Sequence, residues 1–233
     1  HDLSLDGDTL HIGSLVTFTD LIRSELIEAR APLFAEMAET VASPGIRNRA
    51  TLVGNICSAI PSCDAGPVLL AYDTTVHLAG PGGTRSVGIN QWFTGPRRTV
   101  RSDDEIVTHL TVAVPTHGGA YVKLMRYAGE DLAQAAVGIV VLRGDEYRVA
   151  FGAVAPTPIR SARIEDVLRG RPLSDDLIAE AAAMVKDEIS PITDIRATAT
   201  YRIRMTEVML ERGLPVARDR LDGKGPAYGT RLI

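Results

Sequence analysis

The sequence predicts an α+β fold on three observations. Short strand-like and helix-like runs alternate through the first half. The pattern changes near residues 116–119, the expected boundary between two domains. Beyond it, three β-rich runs precede three helical ones, so the second domain is expected to be a three-stranded antiparallel sheet with three helices.

Each element follows from local chemistry. Thr9–Ile12 comes after the Asp6-Gly7-Asp8 turn and reads as a strand. A short helix is expected over Thr17–Arg23, with Thr17 or Thr19 as its N-cap. Pro32–Ala42 is a stronger helix. Pro32 suits a first turn, Leu33, Phe34, Met37 and Val41 recur at helical spacing, and Ser43-Pro44-Gly45 ends it. Ile46–Asp64 is dense in small and polar residues. Pro67–Tyr72 reads as a short helix and Thr75–Ala79 as a strand turned by Gly80-Pro81-Gly82-Gly83. A helical turn at Ile89–Phe93 precedes the β-rich run Glu105–Val114, which ends at Pro115. In the second half, Ala120–Met125 is a strand. Ala136–Leu142 and Tyr147–Val154 flank the turn residues Arg143–Glu146, a hairpin signature. Helices are expected over Arg163–Leu168, Ser174–Ile189 and Ala197–Arg212, with Ser174 opening the second and Gly213 stopping the third. Asp219–Ile233 reads as a polar tail.

Composition narrows the function. The 233 residues (25.0 kDa) allow one or two domains of about 100–200 residues each. Hydrophobic residues at 45% and charged residues at 23% describe a globular chain. Twenty-five basic against 29 acidic residues give a net charge of −4, which argues against duplex nucleic acid. The longest apolar run, Ala135–Leu142, is too short to span a bilayer. The first residues lack the charged and apolar regions of a secretory signal. Cys57 and Cys63 are too few for a disulfide scaffold, a structural zinc or an iron–sulfur cluster. They read as free thiols in a reducing, cytoplasmic setting.

The segment Ile46–Asp64 carries the most information. Small residues and hydroxyls crowd around Gly54-Asn55. Such backbone approaches a ligand closely, and its N–H groups can cradle an anion. Thr51, Ser58 and Ser62 add hydroxyl donors, and Asp64 can accept from a sugar hydroxyl. Composition alone leaves two readings open: an ordinary surface loop turning at Gly54-Asn55, or a phosphate-binding loop.

The longer pattern Ile46-Arg47-Asn48, Thr51-Leu52, Gly54-Asn55 and then Asp64 resembles the FAD-binding subunit of the xanthine dehydrogenase and carbon monoxide dehydrogenase family of molybdenum hydroxylases. Four further stretches extend the resemblance in order. They are Arg85-Ser86-Val87 with Gln91-Trp92-Phe93-Thr94-Gly95; Asp104-Glu105-Ile106-Val107 running to Val114-Pro115; Tyr121-Val122-Lys123-Leu124 with Arg126; and Phe151–Arg160.

That resemblance implies a PCMH-type FAD-binding α/β domain over residues 1–116, a C-terminal flavoprotein domain over 117–218 and a tail over 219–233. Thr51, Leu52, Val53, Gly54 and Asn55 match the loop around the FAD pyrophosphate, with Val53 standing where the family has glycine. Its side chain either crowds the loop or points away. Ser58 lies in the same segment. Asp64 matches the aspartate holding the cofactor's polar chain, Val41 and Val107 match flavin-side contacts, and Lys123 matches a lysine beside the flavin. A solvated strand lysine is the alternative for Lys123. Arg126–Leu132 matches the stretch near the isoalloxazine ring. The family's Ala-Gly-Gly-Thr-Asp-Leu loop is absent from this sequence, so the resemblance implies a truncated domain lacking about its first quarter. The implied complex adds a large molybdenum-cofactor subunit and a small [2Fe-2S] subunit, as a heterotrimer or its dimer. The implied function is electron transfer through FAD. Its rivals are a docking subunit that has lost tight flavin binding and a stand-alone flavin oxidase.

Overall fold

A computed structural model describes residues 1–127 and 130–233. Ala128 and Gly129, within the Arg126–Leu132 stretch, lie outside the described residues. The first half contains β1 (Leu3–Asp6), β2 (Thr9–Gly13), α1 (Phe18–Arg23), α2 (Glu25–Arg30), α3 (Pro32–Glu39), α4 (Pro44–Arg47), α5 (Leu52–Ser58) and α6 (Ala65–Ala71). It continues with β3 (Thr75–Gly80), β4 (Gly83–Gly88), the small pair β5 (Phe93–Gly95) and β6 (Arg98–Thr99), and β7 (Ile106–Ala113). The sheet order is β1-β2-β7-β3-β4, and every neighbouring pair is antiparallel. The expected α/β character of this part is therefore corrected to a helix layer on an antiparallel sheet. Alternation sets its faces. Leu10, Ile12, Val76, Leu78, Leu110 and Val112 enter the core, while His11, His77 and His109 point the other way.

The second half holds β8 (His117–Leu124), β9 (Ala135–Leu142), β10 (Glu146–Gly152), β11 (Ile159–Arg160), α7 (Ala162–Leu168), α8 (Asp175–Glu188) and α9 (Ala199–Leu221). Its sheet is β11-β10-β9-β8, four strands rather than the expected three. The two-residue β11 was too short to carry a periodic signal. A separate core of Val137, Ile139, Val149, Phe151, Leu210 and their neighbours lies under the helices.

Helix α6 is the seam between the halves. All seven of its residues are buried. Its Pro67 lies flat on the second sheet because Gly138 and Gly152 leave room. A Cβ on Gly138 would sit 2.8 Å from Pro67 O, and one on Gly152 would sit 2.7 Å from Pro67 Cγ.

Three local expectations are corrected. Residues 46–64 are not one loop, because α4 and α5 occupy part of them. Helix α9 does not stop at Gly213 but runs through Pro215 to Leu221. Gly213 is there for close approach: a Cβ would lie 2.6 Å from Ile139 Cδ1. Burial of Met209, Leu210, Leu214 and Ala217 outweighs the breaker chemistry of Pro215. The polar tail also fails as read. Residues 219–221 are helical, and Leu232 and Ile233 pack against the second core.

Both cysteines are free thiols. Burial pushes the Cys63 thiol up to about 12, which leaves it protonated and inert.

Candidate functional site

The segment around Thr51 is stitched to the start of α1. Phe18 N donates to Ala50 O at 3.1 Å, and Leu52 N donates to Val16 O at 3.2 Å. Thr51 caps α5: its Oγ1 accepts from Gly54 N at 2.9 Å and its carbonyl accepts from Asn55 N at 3.0 Å. The small, hydroxyl-rich composition thus encodes a capped helix N-terminus. Asn55 Oδ1 accepts from Ala65 N at 3.1 Å and ties α5 to α6. Ser58 Oγ donates to Asn55 O at 2.6 Å.

These elements border a cavity of about 410 Å3. Val41, Ala42, Ile46, Ala50, Ile60 and Leu132 give it an apolar wall. Thr51, Gly54, Asn55, Ser62 and Asp64 give it a polar one, and Glu130 and Asp131 also line it. Arg47 Nη1 donates to the carbonyls of Val41 (2.8 Å) and Ala42 (2.6 Å), which bends the chain into the apolar wall. Thr19 Oγ1 meets Asn48 Oδ1 at 2.7 Å. Asp131 accepts from Arg126 N at 2.9 Å and Leu132 N at 2.8 Å.

At the polar end lies a buried ion pair. Lys123 Nζ is 3.0 Å from Asp64 Oδ1, with the side chains 1% and 8% exposed. Lys123 Nζ also donates to Thr40 O at 2.8 Å, and Tyr121 Oη donates to Asp64 Oδ1 at 2.9 Å. Burial pushes the Asp64 carboxyl above its ordinary value, and the Lys123 ammonium opposes that shift.

The structure therefore brings Val41, Thr51, Gly54, Asn55 and Asp64 to one cavity and joins Lys123 to them through Asp64. It does not bring the remaining sequence candidates there. Leu52 and Val53 pack into the first core, so the Val53 side chain points away from the cavity. Ser58 sits at the far end of α5, and Val107 is on β7 in the first core. Sequence reasoning missed Thr40, and it named Arg47 and Leu132 only as members of longer stretches. Arg47 had its place inside the Ile-Arg-Asn pattern and Leu132 its place in the Arg126–Leu132 stretch; Thr40 had no signal.

The residues suit a flavin dinucleotide in kind. The cavity volume falls in the ordinary range for cofactor sites, roughly 300–1,000 Å3. Gly54 presents bare backbone, where a Cβ would sit 2.9 Å from Thr51 Oγ1. Hydroxyl and amide groups stand opposite an aliphatic wall. Among the described residues, no group of three or more His, Cys, Asp or Glu is placed to hold a metal. Among the described residues, no helix is long and apolar enough to cross a membrane.

Comparison with known proteins agrees with this chemistry. Residues 1–116 match the FAD binding domain in molybdopterin dehydrogenase, and residues 120–216 match the CO dehydrogenase flavoprotein C-terminal domain. The glyceraldehyde dehydrogenase medium chain of Sulfolobus acidocaldarius is 32% identical over 88% of this chain and 74% of its own length. An Escherichia coli xanthine dehydrogenase FAD-binding subunit is 32% identical over 95% of this chain and 78% of its own. The solved carbon monoxide dehydrogenase of Hydrogenophaga pseudoflava has a chain that superposes with a TM-score of 0.91 at 31% identity. The match covers 94% of this chain and 78% of that one. Two family matches that together take in most of the chain, and relatives above 30% identity, lead to one assignment: the chain belongs to the FAD-binding medium subunits of the xanthine and carbon monoxide dehydrogenase family of molybdenum hydroxylases, and is an oxidoreductase subunit.

Proposed function

We propose that this chain holds FAD in the cavity of Val41, Thr51, Gly54, Asn55 and Asp64. In this reading it passes electrons from [2Fe-2S] clusters on a small partner subunit to an external acceptor. A large partner subunit would hold the molybdenum cofactor and oxidise the substrate, in a cytoplasmic heterotrimer or its dimer. Residues 1–116 would form the FAD-binding domain and 117–218 the C-terminal flavoprotein domain. The observation that carries the reading is the convergence of Thr51, Gly54, Asn55 and Asp64 on one cavity with an apolar and a polar wall. FAD would supply the electron exchange; the protein supplies position and field. Thr51, Asn55 and Ser62 line the polar wall, where the pyrophosphate would lie. Val41, Ile46 and Leu132 suit a planar apolar ring. No acid or base on this chain is needed.

A second reading has its own observation. Both oxygens of Asp64 and the ammonium of Lys123 already satisfy each other, Tyr121 and Thr40. A docking subunit without flavin would look the same there. Denaturing release of flavin from the natively purified complex, quantified per copy of this chain, separates the two. One FAD per chain supports electron transfer. No flavin in a complex that retains its partners overturns that reading in favour of docking.

A further inference from the structure

Glu36 lies on α3 with its side chain 4% exposed. It does not border the cavity around Thr51 and Asp64. Every donor it accepts from comes from the second half. Oε1 accepts from Arg220 Nη2 at 2.9 Å and Gly229 N at 3.0 Å. Oε2 accepts from Arg220 Nη1 at 3.0 Å and Tyr121 N at 2.9 Å. The guanidinium is itself held. Arg220 donates to the Gly119 and Ala227 carbonyls at 2.8 and 2.9 Å, and it lies 4.0 Å over the Tyr228 ring, whose Oη accepts from Gly119 N at 3.1 Å.

Register makes this local clamp reach the site. Glu36 and Thr40 are one helical turn apart and share a face at the end of α3. Tyr121 and Lys123 are two residues apart on β8 and share a strand face. Glu36 takes Tyr121 N, while Thr40 O takes Lys123 Nζ at 2.8 Å. Those same two β8 side chains hold Asp64. Strand β8 is thus pinned to α3 at two points, one remote from the cavity and one beside Val41.

We infer that Glu36 is a positioning residue for the cavity: with Arg220 it fixes the register of β8 on α3, and so places Lys123 between Thr40 and Asp64. The carboxylate charge is essential to this arrangement. Glu36→Gln keeps the shape but turns an NH2 toward N–H donors, leaving donor against donor in a buried place.

The test has two readouts, and only the second rests on the FAD reading. The chain has three lysines, and Lys186 and Lys224 are exposed. Amine acylation followed by mass spectrometry therefore reports Lys123 against two internal references. In the wild-type chain Lys123 is protected. In Glu36→Gln its labelling relative to Lys186 and Lys224 is expected to rise about tenfold, with the far-ultraviolet spectrum unchanged. Arg220→Lys, which keeps the charge and loses the fork, gives the same result more weakly and carries the test if Glu36→Gln does not fold. Glu39→Gln, exposed on the same helix, leaves Lys123 protected. The second readout is the Kd for FAD, expected to weaken about tenfold in Glu36→Gln. Unchanged protection of Lys123 in both variants overturns the clamp. Exposed Lys123 with an unchanged Kd overturns the positioning role. A wild-type chain that binds no FAD, with labelling still responding to Glu36→Gln, overturns the FAD reading and supports the clamp.

Discussion

Lys123→Met tests the energetics of the cavity's polar end. The substitution keeps the aliphatic bulk and removes the ammonium 3.0 Å from Asp64 Oδ1. Asp64 is left with the Tyr121 hydroxyl as its remaining side-chain donor, and Thr40 O loses its Lys123 donor. Breaking a buried pair by removing one partner costs about 3–5 kcal/mol, because the other charge stays behind. For a chain of this size, that lowers the melting temperature by roughly 6–20 °C. The loss depends on pH. Burial already holds the folded Asp64 pKa above its unfolded value, so the group's contribution is fully present below the unfolded pKa and fades as pH rises through the folded one. Without Lys123 the folded pKa rises further. The gap between wild type and variant is therefore widest near neutrality and narrows as acid protonates Asp64. The double variant Asp64→Asn/Lys123→Met removes both charges and is expected to regain about 2 kcal/mol over the single one. Urea and thermal melts of wild type, Lys123→Met, Asp64→Asn and the double variant from neutral to acidic pH read all of this. A Lys123→Met cost below about 1 kcal/mol at neutral pH, with no narrowing toward acid, would refute the reasoning.

Three shorter predictions follow from packing and titration. Gly118→Ala places a Cβ against Ala217 O and Leu221 N of α9, so β8 and α9 must part. A loss of about 1–3 kcal/mol or more is expected in urea melts, and an unchanged midpoint would refute the close approach. Val53→Gly places glycine where the resemblance expects it, yet Val53 is 5% exposed in the first core. The loss of burial and of helix propensity costs about 2–4 kcal/mol in a thermal melt. A variant that melts like wild type and binds FAD more tightly would show that Val53 crowds the cavity instead. On the outer face of the first sheet, His77 stacks on His109 with centroids 4.2 Å apart, and His11 is 6.1 Å from His109. Burial first, then the neighbouring imidazoles, hold His77 and His109 below the ordinary histidine value. Depressed folded pKa values mean that the unfolded chain binds these protons more readily. Stability is thus full above the unfolded pKa and falls as pH drops through the folded ones. His77→Gln should flatten that acid limb of the stability profile.

What was legible in the sequence divides along a physical line. Thr17 and Ser174 announced their helices because capping is local: three residues and one hydroxyl contain the whole signal. The hairpin across Arg143–Glu146 was legible for the same reason. Gly213 misled because its local chemistry opposes a helix that tertiary burial enforces; Ile139, about seventy residues away, explains the glycine. The site divides likewise. Thr51, Gly54, Asn55 and Asp64 could be named from a contiguous pattern, and the fold puts them on one cavity. The same pattern could not show that Thr51 spends its hydroxyl on a helix cap, or that Val53 turns into the core, since both depend on where α5 begins. Least visible of all was Glu36. A glutamate in a short amphipathic helix reads as solvated, and its partners lie 85, 184 and 193 residues downstream. Its burial is tolerated because four donors converge on two oxygens, a condition met only after both halves have folded and docked. The stretch of chain most easily read as a polar tail supplies three of those four donors, Arg220 Nη1, Arg220 Nη2 and Gly229 N, and the Tyr228 ring beneath Arg220. Sequence patterns record what a segment does with itself and with a small ligand. The contacts that fix the geometry between segments are set by packing, and those are the contacts that decide how well the cavity keeps its shape.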